Sequence, residues 1–221
     1  MSRDPTTEVR IPPLPKDQWT DAARAVFAYW GEPDAWEEGS KTSILPVMGH
    51  HPALGMAYNA WGKQLLMGNT LGTRSLELVV LRIAWNQQSA YEWHHHVGYA
   101  LNAGMTLEEI AAVRTFPQGG AWSKHDAALL SAVDELKRDG TVASATWATL
   151  AQSFDTRQLM DLVFTVGHYT MTSWALETFG VPVEGWADRI GFDLKTASGK
   201  TPGRTLKPGE GDGWAEGREG Q

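Results

Sequence analysis

Apolar residues recur at helical spacing along most of this chain, and they predict a succession of helices with few strand signals between them. A stripe of Ala22, Ala25, Val26 and Tyr29 predicts a helix over 17–30, broken by Gly31-Glu-Pro-Asp34. Pro52 can open a second helix to about Met67, with Leu54, Ala57, Tyr58, Trp61 and Leu65 turned inward. Thr73 to Asn86 carries Leu76, Leu78, Val79, Val80, Leu81 and Ile83, too apolar for a surface helix, and belongs at the centre of the fold.

A helix from Ser89 to Ala103 ends at Gly104, and Thr106 with Glu109 forms a capping-box pattern for a short helix to about Thr115. Further helices are predicted over 123–139 and 144–152. A last long one follows the Asp155/Gln158 capping box and runs to about Thr178, stopped by Gly180 and Pro182. The expected fold class is all-α. Residues 1–16, with four prolines, read as an extended N-terminal arm over the domain or a neighbouring subunit; 17–194 read as one helical domain. Residues 195–221, rich in Gly, Lys, Pro, Thr and Glu, read as a mobile tail.

Composition narrows the chemistry. A net charge of −7 gives no general attraction to nucleic acid or anionic membrane, so neither is expected as a partner. The absence of cysteine removes thiolate nucleophiles, disulfides and cysteine-held metals. No secretory signal or apolar run of bilayer length is evident, which leads to the expectation of a cytoplasmic protein. Eleven tryptophans are an excess that suits buried cores, subunit interfaces or a flat aromatic pocket.

The most informative stretch is Ser89-Ala-Tyr-Glu-Trp-His-His-His96. On a helix His96 falls about 40° from Glu92 and about 20° from Ser89, so a hydroxyl, a carboxylate and an imidazole share one face. Glu92 and His96 are an i,i+4 pair suited to proton transfer, or alternatively a solvated ion pair; neighbouring Tyr91 and Trp93 favour partial burial. Glu77, on the apolar helix, needs a partner if buried. Arg74 or Arg82 would make it structural, and His96 would make it a relay. Three consecutive histidines cannot all ligate one ion from a regular helix, and no spacing matches a metal signature, so neither metal nor cofactor is expected. His168 and Tyr169 could line the same cavity, as could His50 and His51, and Gly119-Gly120 could form a lid.

Glu77-Leu-Val-Val-Leu-Arg82, Tyr91-Glu-Trp93 with His96, Ala103-Gly104 before Glu108-Glu-Ile110, and Val166-Gly-His-Tyr169 through Gly180-Val-Pro182 resemble the carboxymuconolactone decarboxylase and alkylhydroperoxidase D-like superfamily over about residues 40 to 185. The peroxidase branch uses a CxxCxxxH helix with an upstream glutamate. The corresponding positions here are Ser89, Glu92, His96 and Glu77, so the resemblance implies a proton relay without sulfur and no thiol peroxidase activity.

The resemblance further implies a cofactor-independent lyase of decarboxylase type acting on a small aromatic or unsaturated molecule. His96 would be its acid or base, Glu92 its coupled carboxylate and Glu77 a relay. Ser89, Tyr91, Trp93, Trp61, Trp122, His168 and Tyr169 would contact substrate. Homo-oligomers are common in the superfamily. The alternatives are a metal-assisted hydrolase or lyase and a noncatalytic small-molecule binder.

Overall fold

The computed structural model describes residues 8–184, among which ten α-helices and one short 3-10 helix are found. The helices are α1 (Asp21–Trp30), α2 (Ala35–Glu38), α3 (Ile44–Met48), α4 (Pro52–Met67), α5 (Thr73–Gln87), α6 (Ala90–Asn102), α7 (Leu107–Val113), α8 (Lys124–Asp139), α9 (Ser144–Leu150) and α10 (Thr156–Phe179). The expected all-α class holds. The tail expected over 195–221 lies outside the described residues, as does the start of the arm.

α5 is the central helix and packs against α6, α7, α8 and α10. Leu78, Val79, Val80 and Leu81 are all wholly withdrawn from solvent, so the helix is buried on every side, as its unbroken apolar run requires. Arg82 lies among these residues and is fully engaged. Its guanidinium takes Asp134 of α8 in a two-pronged pair, at 2.8 and 2.7 Å, and also donates to the carbonyls of Val113 and Phe116. Arg74 pairs with Glu109 and Asp126. Both arginines therefore tie α5 to α7 and α8, and neither reaches Glu77.

Both predicted capping boxes form. Thr106 exchanges hydrogen bonds with Glu109 at the start of α7, and Asp155 does so with Gln158 at the start of α10. Gly180, at φ 70°, ends α10 in the left-handed conformation.

Two expected helix faces are rotated. In α1 the buried residues are Ala23, Val26 and Phe27, and the helix begins at Asp21 with Thr20 as its cap. In α4 they are Gly55, Asn59, Gly62 and Leu65, while Leu54 and Trp61 are exposed. The reason is close packing of α4 on α1: a Cβ at Gly55 would stand 3.1 Å from either methyl of Val26. Beside Leu65, the inward side of α4 carries Gly55, Asn59 and Gly62, which an apolar-periodicity reading passes over.

The described part of the arm folds back on its own chain. The amides of Arg10 and Ile11 donate to the carbonyl of Phe179, and that of Leu14 to Pro46. A second apolar cluster, including Trp19, Phe27, Leu45, Tyr91 and Leu176, packs beside the main core around α5. No helix among the described residues is long and apolar enough to cross a membrane.

Candidate functional site

α6 starts one residue later than its periodicity suggests. Ser89 is the cap residue, at φ −89° and ψ 103°, so its side chain is not in phase with the helix. Its hydroxyl is buried with no hydrogen-bond partner among the described residues, and it does not line the cavity described below. The predicted meeting of Ser89 with Glu92 and His96 on one helical face does not occur.

Glu92 and His96 do meet, one turn apart and both buried, with Glu92 Oε2 3.4 Å from His96 Nε2. On the opposite edge of the ring, His96 Nδ1 donates to Oε2 of Glu77 at 2.6 Å. Glu77 is thus the partner of the imidazole. Arg82, five residues along α5, lies about 140° around the helix from Glu77 and serves another contact. The second oxygen of Glu77 is buried without a hydrogen-bond partner among the described residues.

Electrostatics follow from this sandwich. Burial pushes the His96 imidazole down, but the charge and hydrogen bond of Glu77, with those of Glu92, outweigh it and raise the pKa to about 9. His168 shows the opposite balance: burial, helped by the nearby His96 cation and resisted by Glu92, lowers it to about 4. At neutral pH the site therefore holds one charged and one neutral imidazole. Tyr169 stands edge-on to both rings, at 5.0 Å from His96 and 5.1 Å from His168, and burial first, then the two carboxylates, pushes its phenol well up.

These groups face a cavity of about 80 Å³ between the two apolar clusters. Tyr91, Glu92, His95, His96 and Tyr99 line it from α6, Tyr58, Gly62 and Leu66 from α4, and His168, Tyr169, Thr172 and Leu176 from α10. Gly62 is required by proximity, since a Cβ there would stand 3.2 Å from His168 Nε2. Of the predicted substrate contacts, Tyr91, His168 and Tyr169 line the cavity. Trp93 is instead buried in the main core beside Trp85, Trp61 packs edge-on to Phe164 at the surface, and Trp122 bonds to the carbonyl of Gly119.

Four other histidines, His50, His51, His94 and His95, separate cleanly. His50 bonds to the Pro12 carbonyl of the arm, His51 caps α4 by accepting from Leu54, and His94 bonds back to the Ala90 carbonyl. His95 alone joins the cavity, where its Nε2 lies 2.8 Å from Glu184. Glu184 has no sequence signal, being 89 positions from His95 and outside any periodic element. Among the described residues no group of three or more His, Asp or Glu side chains is placed to hold a metal ion.

The carboxymuconolactone decarboxylase family matches residues 52–135, a span that holds Glu77, Glu92 and His96. Over that span the chain is similar to the carboxymuconolactone decarboxylase family. Its fold is similar to that of an alkylhydroperoxidase AhpD core, an uncharacterized peroxidase-related protein from Ralstonia eutropha JMP134. That pair has 15% identity, a TM-score of 0.67, and coverage of 80% of this chain and 93% of that one. An uncharacterized peroxidase-related protein from Silicibacter sp. TM1040 is similar at 14% identity and a TM-score of 0.66, covering 83% and 95%. No curated protein gives a significant match.

Proposed function

We propose that this protein is a cofactor-independent acid–base enzyme of lyase or decarboxylase type, working on a small unsaturated acid or carbonyl compound. The observation that carries this reading is the enclosure of His96 between Glu77 and Glu92 at the wall of a cavity. His96 enters the reaction as an imidazolium, with Nδ1–H held by Glu77 and Nε2–H available beside Glu92. When a substrate carbon loses its carboxylate as CO2, the bonding electrons pass into the substrate's own unsaturation. The Nε2 proton of His96 then goes to the resulting carbanion or enolate. Glu77 holds the ring in one orientation and sustains its charge before the step, and Glu92 is placed to return a proton afterwards.

The chain has no cysteine, so the sulfur cycle of a thiol peroxidase has no nucleophile here. Cavity size refines the substrate. At about 80 Å³ it is roughly half the ~150 Å³ apolar hollow that admits benzene, so a short unsaturated acid fits more readily than a ring. Turnover of a panel of small unsaturated acids, followed by CO2 release and by solvent deuterium incorporation, tests the reading. Glu92→Gln and His96→Gln should each lower it by roughly 10²- to 10⁴-fold with the helical content unchanged. Full turnover in both variants would overturn the assignment.

Self-association fits the same molecule. Met160, Phe164, Met171 and Trp174 form an exposed apolar row along α10, with Trp61 beside Phe164, and a second copy of the chain is the proposed cover. Light scattering on the purified protein reads the stoichiometry, and Phe164→Glu should lower it.

A further inference from the structure

α6 presents two i,i+4 pairs to the cavity, one residue out of register with each other. Glu92 and His96 form the proton-transfer pair, and Tyr91 and His95, stacked at 4.4 Å, form the other. The second pair is not idle. Tyr91 OH donates to Glu184 Oε1 at 2.8 Å, and His95 Nε2 donates to Glu184 Oε2 at 2.8 Å. The backbone N–H of Ser43 donates to Oε1 as well, at 2.5 Å. Three donors from two separate parts of the chain thus converge on one carboxylate, whose side chain is only 10% exposed.

We propose that Ser43 N–H, Tyr91 and His95 form a carboxylate-binding subsite at the edge of the cavity. The chain's own Glu184 fills it, and a small carboxylate-bearing molecule takes it by displacing Glu184. Position supports this. Tyr91 and His95 themselves line the cavity, and so do Thr42 and Ile44 on either side of Ser43. A carboxylate seated there leaves the rest of its molecule beside Glu92 and His96, the adjacent pair on the same helix. Lys41, exposed and lining the same cavity, adds a positive charge on the solvent side.

The donor set suits an anion. Burial alone would raise the Glu184 carboxyl, yet His95 and then the Ser43 amide bring it to about 2, so the site holds the ionised form. Glu184 lies four residues beyond Gly180, the cap of α10, on a segment with no helical hydrogen bonds. A ligand tethered in this way competes at an effective concentration of about a millimolar or more, which lowers the apparent affinity of any free competitor.

The inference extends the acid–base reading by naming a substrate group, but its test reads binding alone. Acetate is the probe, with methyl acetate as the uncharged control, and affinity is read by calorimetry and by the ring resonances of Tyr91 and His95. Glu184→Ala should bind acetate at least about tenfold more tightly than the wild-type chain. Adding Tyr91→Phe or His95→Ala should remove that gain, and methyl acetate should show none. Glu184→Gln, which keeps the shape of the strap, should give a smaller gain in the same direction and serves if the alanine variant does not fold. Equal acetate affinity in wild type and both Glu184 variants would overturn the subsite, as would a gain that survives loss of Tyr91 and His95. Neither outcome touches the proton relay, which turnover of the Glu92 and His96 variants decides separately.

Discussion

Glu77 and His96, 19 positions apart on successive helices, share a 2.6 Å hydrogen bond that water does not reach. That bond makes Glu77 the main source of the imidazole's charge. Replacing it with Gln removes the charge and leaves a neutral hydrogen-bonding group, so burial should then win and the His96 pKa should fall toward or below its ordinary 6.5. At pH 7.5 the ring nitrogens of His96 should show a doubly protonated imidazole in wild type and a neutral one in Glu77→Gln, read by 15N NMR. Turnover, where it can be measured, should fall by roughly 10²-fold or more. Glu77→Ala should in addition cost about 3–5 kcal/mol of stability, the usual result of stripping one partner from a buried pair.

The two cavity histidines give stability an opposed pH dependence. His96 binds its proton more tightly folded than unfolded, so its contribution is complete below pH 6.5 and is lost as pH rises through about 9. His168 binds its proton less tightly folded, so its contribution is complete above pH 6.5 and is lost as pH falls toward about 4. Urea midpoints measured across pH 4–9 should therefore peak near 6.5. His168→Gln should flatten the acidic limb and Glu77→Gln the alkaline limb. An unchanged profile in both variants would refute the assignment.

Much of this was legible in the chain because it is local. Capping boxes at Thr106 and Asp155, the glycine stops and the all-apolar α5 depend on neighbours within one or two turns, where sequence spacing is spatial spacing. The Glu92–His96 pair is legible for the same reason. What failed depended on approach between elements. α4 turns Gly55 and Asn59 toward α1 and Gly62 toward His168 of α10, and leaves Leu54 and Trp61 outside, because close helix packing favours small residues over periodic large ones. Ser89 misleads because a cap residue leaves helical φ/ψ, which voids its phase. The tryptophans Trp93 and Trp122 serve the core, the commoner use of a large ring. Glu184 could not be found by any spacing rule, since only the folded chain brings it to His95.

Arg82 anchors α5 to α8 with a side chain that is itself buried, against a partly exposed Asp134. With one side of the guanidinium on Asp134 and the other on two carbonyls, Arg82→Ala should leave Asp134 without its cation and the carbonyls of Val113 and Phe116 without a donor. The expected loss is about 3–5 kcal/mol, or on the order of 10 °C in Tm, and calorimetry measures it. The pair lies away from the cavity lining, so the acetate affinity of Glu184→Ala should be unchanged in an Arg82→Lys background that still folds.

Ser89→Ala distinguishes a cap from a catalytic hydroxyl. The Ser89 hydroxyl is wholly buried without a partner among the described residues, so removing it relieves desolvation and deletes no hydrogen bond. Stability should stay level or rise by up to about 1 kcal/mol, and turnover should be unaffected. A fall of tenfold or more in turnover at unchanged stability would return Ser89 to the site.

Gly180 links the arm to the segment that carries Glu184. It sits at φ 70°, and a Cβ there would run into the carbonyl oxygen of Glu8. Any other residue at this position bears about 1 kcal/mol of left-handed strain and must also push the arm away from the end of α10. Because the amides of Arg10 and Ile11 donate to Phe179, that displacement should appear first as loss of their protection against hydrogen exchange. Gly180→Ala should therefore destabilise the chain by roughly 2–3 kcal/mol in urea unfolding. It should also weaken the hold of Ser43, Tyr91 and His95 on Glu184, so that acetate affinity moves in the direction of Glu184→Ala. Retained protection at Arg10 and Ile11 in this variant would show that the arm accommodates the methyl group, and the predicted coupling between arm and subsite would fail.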